Sequence, residues 1–199
     1  KDSKIAGICG PGVIGRTTFE AIMDACPEIE LVKIKGRSQK GIDEFTEFAK
    51  EKYPDVKVES VPTLEECVRD SDVVGFAATS GHDLSKYPKV EKEWVKPGAT
   101  IACPGGVEFD KDFLVNDCTL AVDALGLYKA WASEFPYPTY GNVTMVGTKF
   151  MDMEHEGMIT DDDIKDVGKI INGKQKGREK DDEIIIYSVG GMPVEDVAW

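Results

Sequence analysis

Short apolar runs alternate along this chain with longer stretches in which apolar residues recur every three or four positions. The runs Ile5–Cys9, Leu31–Lys35, Val56–Ser60, Val73–Ala77, Thr100–Cys103, Leu120–Val122 and Glu183–Tyr187 read as strands. Ile14–Ala25, Gly41–Lys52, Leu64–Arg69, Asp161–Ile171 and the stretch from Met192 onward read as helices. Thr63-Leu64-Glu65-Glu66 has the form of a capping box, which places a helix start there. Lys96-Pro97-Gly98 marks a turn before the next strand. Strand and helix in alternation predict an α/β fold, a doubly wound and mostly parallel sheet with helices on both faces. Residues 131–155, rich in Pro and aromatics, are expected to be the least regular part and a candidate insertion.

The first strand runs directly into Gly10-Pro11-Gly12-Val13-Ile14-Gly15, a G-x-G-x-x-G sequence that is followed by the helical spacing of Phe19, Ile22 and Met23. In such a turn the second glycine lets a pyrophosphate approach the backbone, and the third lets the helix pack closely on its strand. The helix start offers free N–H groups and the positive end of its dipole to phosphate. The motif alone is weak, but between a strand and a helix it predicts a Rossmann-type dinucleotide site at Gly10, Pro11, Gly12, Val13, Ile14 and Gly15.

Composition narrows the ligand. A chain of 199 residues with net charge -13 lacks the basic field that nucleic acid requires. The five cysteines include no C-x-x-C pair, which fits reduced thiols and a cytoplasmic protein. No apolar run is long enough to span a bilayer, so no membrane partner is expected. The first strand begins within a few residues of one end, and the last helix is cut at Trp199. Residues 1–199 are therefore expected to be one dinucleotide-binding domain of a longer enzyme.

The tip of the second strand bears on which dinucleotide binds. An NAD site usually carries an acidic residue there for the ribose 2′-hydroxyl. This strand ends instead in Lys35-Gly36-Arg37-Ser38, with Lys40 close behind. Arg37 can present a planar fork to a 2′-phosphate, and Ser38 and Lys40 add donors. The preferred cofactor is expected to be NADP(H), with NAD(H) as the alternative.

Three further segments carry a resemblance. They are Asp72–Ser80, a strand running into Thr79-Ser80; Trp94–Ala102 followed by Pro104-Gly105-Gly106 and Glu108-Phe109-Asp110; and Asp182–Asp196, with its Ser188-Val189-Gly190 turn and Glu195-Asp196. Their order and spacing resemble the ornithine cyclodeaminase/mu-crystallin family over nearly the whole chain, apart from the region around 131–155. The resemblance implies a nucleotide-binding domain inserted between two halves of a substrate domain. That outer domain also makes a homodimer of the intact protein, and without it the domain binds cofactor and turns nothing over. The implied activity is hydride transfer to or from an amino acid or imine, with a small-molecule partner of that class. A cyclodeaminase-type lyase using NAD and a non-catalytic NADPH-dependent binding protein are the alternatives.

The resemblance also distributes roles. Ala78, Thr79 and Ser80 would meet a phosphate or ribose oxygen, with a helix cap as the alternative for the two hydroxyls. Ser188, Val189 and Gly190 would close over the nicotinamide, with a tight turn as the alternative for the glycine. Asp123, at another strand end, is expected to hold ribose or the nicotinamide side, or to cap a helix. Cyclodeaminases carry a catalytic aspartate after the Gly105-Gly106 position, where this chain has Val107. Glu108 and Asp110 are substitutes only through a gapped alignment, and both match a structural Glu-x-Asp segment. His82 is the remaining candidate proton donor. Glu154-His155-Glu156 lacks metal-ligand spacing, and Asp161-Asp162-Asp163 lacks the alternating ligands of a calcium loop, so no metal is expected.

Overall fold

The computed structural model describes residues 2–78, 81 and 83–191. Thr79, Ser80, His82 and the helix expected from Met192 lie outside the described residues. The chain passes through β1 (Ile5–Cys9), α1 (Val13–Ala25), β2 (Leu31–Lys35), α2 (Gln39–Lys52), β3 (Lys57–Ser60), α3 (Leu64–Val68) and β4 (Val73–Phe76). It continues through β5 (Lys89–Val90), β6 (Thr100–Cys103), β7 (Glu108–Phe109), α4 (Lys111–Asp117), β8 (Cys118–Val122) and α5 (Leu125–Glu134). α6 (Val146–His155), β9 (Ile164–Asp166), α7 (Val167–Ile171) and β10 (Ile184–Ser188) complete it.

Eight strands form one sheet in the order β3-β2-β1-β4-β6-β10-β8-β9, and β5 pairs with β7 separately. All described pairings are parallel. From β1 the chain steps outward to β2 and β3, then crosses to β4 on the other side. The strand order therefore reverses between β1 and β4, and the crevice outside the carboxyl ends of such strands is where open α/β sheets bind ligands.

Two cores flank this line. Phe19, Ile22 and Met23 of α1 and Phe45 and Ala49 of α2 bury their stripes against Ala6, Ile8, Val32 and Ile34. Phe19 lies 5.3 Å from Phe45 and 5.2 Å from Tyr53, in tilted and edge-on contacts. The larger core joins Phe76, Ile101, Val122 and Ile186 to Phe113, Tyr128, Val146 and Phe150. Burying each such side chain contributes about 1.5–3 kcal/mol.

Two expectations are corrected. Residues 161–171 do not form one helix: a 3-10 turn at Asp161–Asp163 leads into β9, and only Val167–Ile171 is helical. Ile164, 1% exposed, is drawn into the large core and paired with Leu120 of β8. Asp166 then starts α7 by accepting from Lys169 N–H at 3.0 Å, and also accepts from Leu125 N–H at 3.0 Å. Residues 131–155 are not the least regular part either, since they carry the end of α5 and all of α6. That helix is buried on every side from Val146 to Met153. Asp152 within it accepts from the N–H groups of Thr139 (2.7 Å) and Tyr140 (2.9 Å).

Candidate functional site

The glycines after β1 are held by contacts that a side chain would break. Gly10 has φ +98°, and a Cβ there would lie 2.7 Å from the Ala77 carbonyl and Ala78 N. Its N–H donates to the Lys35 carbonyl at 2.9 Å, tying the loop to the end of β2. A Cβ on Gly15 would meet the Gly10 carbonyl oxygen at 2.0 Å, so only glycine lets α1 press on the turn. Gly12 differs from both: a Cβ there would meet nothing within 4 Å. Gly12 is the N-cap of α1, with no side-chain cap and no acidic residue in the first turn. The first N–H groups of α1 have no partner within the helix, and the space over Gly12 is open to take an acceptor.

This loop forms one wall of a cleft of about 700 Å³, within the range of small-molecule and cofactor pockets. The other walls are Lys35 to Ser38 after β2, Gly41 and Glu44 of α2, Leu64, Ala77-Ala78 beyond β4, and Lys86 with Pro88. Pro11 touches the β2 tip: a Cβ on Gly36 would lie 2.9 Å from its Cγ. Arg37 is exposed at the rim. The Ser38 hydroxyl caps α2 by accepting from Gly41 N–H at 3.3 Å, which leaves its own hydrogen free to donate outward. Lys40 does not line the cleft; it stands 3.8 Å from Glu44, largely in solvent. Cys9 lies at the base, where burial pushes its thiol up to about 11 despite the nearby Lys35.

Beyond Ala78 the sheet's carboxyl edge continues as a row of glycine turns. Gly105 N–H donates to the Phe76 carbonyl at 2.8 Å, and Val189 N–H to that of Cys103 at 3.3 Å. Gly106 lies against the Tyr87 ring, which a Cβ would strike at 2.1 Å. Val13 and Ile14, though apolar, are exposed at the head of α1.

Several polar candidates are turned inward. Ser188 is fully buried; its Oγ accepts from Gly147 N–H at 2.8 Å and from the Tyr128 hydroxyl at 3.1 Å. It therefore faces α5 and α6 rather than the cleft. Asp123 accepts from the N–H groups of Gly190 and Gly191, each at 2.9 Å, and from Ala124 N–H at 3.0 Å. Its carboxylate pins the turn after β10 instead of pointing to the cleft. Glu108 pairs with the buried Lys149 at 2.7 Å, and Lys149 also donates to the Phe109 carbonyl at 2.6 Å. Asp110 caps α4 by accepting from Asp112 N–H at 2.8 Å. Val107 is fully buried, with its carbonyl accepting from the Tyr140 hydroxyl at 3.1 Å. Lys35, Glu44 and Lys86 line the cleft without having been singled out in the sequence. Only for Lys35, the last residue of a strand read correctly, was there a signal.

Known proteins are similar to this chain. N-((2S)-2-amino-2-carboxyethyl)-L-glutamate dehydrogenase of Staphylococcus aureus is 22% identical over 199 residues, covering 100% of this chain and 53% of that protein. Alanine dehydrogenase of Archaeoglobus fulgidus is 26% identical over 204 residues, covering 100% of this chain and 55% of its own. The solved structure of Thermococcus litoralis Δ1-pyrroline-2-carboxylate reductase, in complex with NADH and L-proline, matches with a TM-score of 0.72 and 25% identity. The match covers 98% of this chain and 55% of that one. The chain thus spans about half the length of the curated relatives it matches. With a match to the family model over residues 1–199, and with the glycine turn and strand order above, the chain belongs to the ornithine cyclodeaminase/mu-crystallin family.

Proposed function

We propose that this chain is the nucleotide-binding part of an oxidoreductase that moves a hydride between NADP(H) and an amino acid or its imine. The observation that carries the reading is the open space over Gly12 at the head of an uncapped α1, the shape and polarity that a pyrophosphate requires. The bound dinucleotide supplies the hydride; the chain's residues bind and orient it. The N–H groups at the head of α1 take the phosphate oxygens, and the nicotinamide lies further along the strand ends.

Arg37 supports NADP(H) over NAD(H), because it lines the cleft just past the end of β2, where no carboxylate stands at the strand tip. The Ser38 hydroxyl is a second donor to a 2′-phosphate. Lys40, drawn toward Glu44, contributes field rather than contact. The relatives act, by name, on alanine and on a cyclic imine of proline, which supports C–N oxidation and reduction as the reaction class. Buried Val107 supports hydride transfer over the lyase reading, having no group to hold a proton. The five free thiols support a cytoplasmic location.

The test is a fluorescence titration with NADPH and NADH. Arg37→Ala should weaken NADPH by about 10- to 100-fold, the worth of one hydrogen-bonded charge pair, and NADH by less than about 3-fold. Equal losses for both nucleotides would overturn the NADP(H) assignment. Steady NADPH consumption with a keto acid and an amine, or with a cyclic imine, tests the reaction class in the protein.

A further inference from the structure

Glu44 is the one acidic side chain among the described residues lining the cleft, which Lys35, Arg37 and Lys86 also line. It projects from α2 nearly two turns beyond the Ser38 cap and lines the cleft together with Gly41 and the β2 tip. Its two oxygens face different cations: Oε2 is 3.1 Å from Arg16 Nη2, and Oε1 is 3.8 Å from Lys40 Nζ. Arg16 is itself held by α1 and by the Phe48 ring, 5.9 Å from its guanidinium carbon. The carboxylate is thus held in place, about half-exposed, on the wall of the cleft.

We propose that Glu44 sets the nucleotide selectivity of this site, accepting a hydrogen bond from the adenosine ribose hydroxyls of NAD(H) and opposing the 2′-phosphate of NADP(H). The inference rests on the dinucleotide reading above and deepens it. β2 carries no acid at its tip, so a ribose hydroxyl lying there needs an acceptor from another element. Glu44 offers one from α2, in the same cleft that Arg37 lines. A 2′-phosphate in the same place meets a like charge, which costs affinity in proportion to how little Arg16 and Lys40 neutralise it. Arg37 and Glu44 therefore pull the preference in opposite directions, and the protein accepts both nucleotides with a moderate bias to NADPH.

The experiment is titration of wild type, Glu44→Gln, Arg37→Ala and Glu51→Gln with NADPH and with NADH. Glu51→Gln removes the same charge from the same helix at an exposed position that does not line the cleft. Glu44→Gln should weaken NADH about 10-fold, the low end for a hydrogen bond to a charged acceptor. It should leave NADPH unchanged or tighter, while Glu51→Gln shifts neither by more than about 2-fold. A selectivity ratio within 2-fold of wild type in Glu44→Gln overturns the inference, as does an equal shift in Glu51→Gln. Loss of NADPH preference in Arg37→Ala with no change in Glu44→Gln overturns this inference alone. Failure of wild type to bind either nucleotide overturns the reading beneath it as well. Thermal melting of each variant separates altered selectivity from altered folding.

Discussion

The contrast between Gly12 and Gly15 separates the binding role of the glycine loop from its folding role. At Gly12 the backbone has φ -76° and ψ -165°, which alanine adopts freely, and the added methyl meets no atom within 4 Å. The structural cost of Gly12→Ala is the poorer N-cap, about 1 kcal/mol or less. In a chain of this size that lowers the melting temperature by about 2–4 °C. At Gly15 the methyl would lie 2.0 Å from the Gly10 carbonyl oxygen. α1 must then shift from the sheet, at about 1–3 kcal/mol or more, against a gain of at most about 1 kcal/mol in helix propensity. For the cofactor the order reverses. A methyl over the uncapped start of α1 holds a pyrophosphate away from at least two N–H donors, each worth about 1.5 kcal/mol or more when the acceptor is charged. The loss is about 100-fold in affinity. At an NADPH concentration of 100 times its wild-type Kd, the ligand stabilises wild type by about 2.7 kcal/mol. Gly12→Ala, bound 100-fold more weakly, gains only about 0.4 kcal/mol under the same conditions. Melting curves with and without NADPH read both effects. An unliganded Gly12→Ala protein that melts as low as Gly15→Ala would refute the open space. Retention of the full NADPH-induced shift would refute the placement of the pyrophosphate.

Ser188→Ala leaves the Gly147 N–H and the Tyr128 hydroxyl without their acceptor and should cost about 2–5 kcal/mol. Tyr128→Phe removes one donor and leaves the other pair intact, so it should cost about 1–2 kcal/mol less; urea unfolding that ranks the two in reverse would refute the network. Burial raises the Asp72 carboxyl, but the Lys96 ammonium at 2.5 Å and the N–H groups of Ile5 and Lys4 more than offset it, holding it below its ordinary 3.8. A carboxyl depressed in the folded state contributes stability that is complete above its unfolded value and is lost as pH falls through the folded one. Asp72→Asn should therefore cost about 1–2 kcal/mol near neutrality and flatten the fall in stability below about pH 4; an unchanged acid limb in urea midpoints would refute it.

How far each element could be read in advance follows from what determines it. β1, the glycine turn and α1 depend on near neighbours, such as Gly10 against Gly15 and Phe19 against Ile22 and Met23, and they were legible as a unit. β9 was not. Ile164–Asp166 is a strand only because β8 lies alongside to pair with it, and its own residues sit equally well in a helical pattern. α6 escaped for the opposite reason. Buried on every side, it has no polar face to give an amphipathic period, and Lys149 and Asp152 inside it find their partners in other elements. The cleft's charge was hidden in the total: a chain of net charge -13 lines its cleft with Lys35, Arg37 and Lys86 and, among the described residues, the one acid Glu44.

The polar residues at the strand ends show how much position alone leaves open. Successive side chains on a strand point to opposite faces, and the sequence does not say which face carries the cleft. Ser188 and Asp123 stand at carboxyl ends, where ligands gather, yet Ser188 bonds to α5 and α6 and Asp123 to the turn after β10. Their orientation follows from the glycines beside them. A turn such as Gly190-Gly191 has no side chain with which to anchor itself and would otherwise sample many conformations. Asp123 fixes it through two backbone N–H groups, and Ser188 ties the preceding strand end to α5 and α6. Glu108 and Lys149 hold the segment after Gly105-Gly106 in the same manner. These carboxylates and hydroxyls therefore hold the glycine turns of the strand ends in place. Substituting them should change stability first and cofactor affinity second, the reverse of what Gly12 and Arg37 should show.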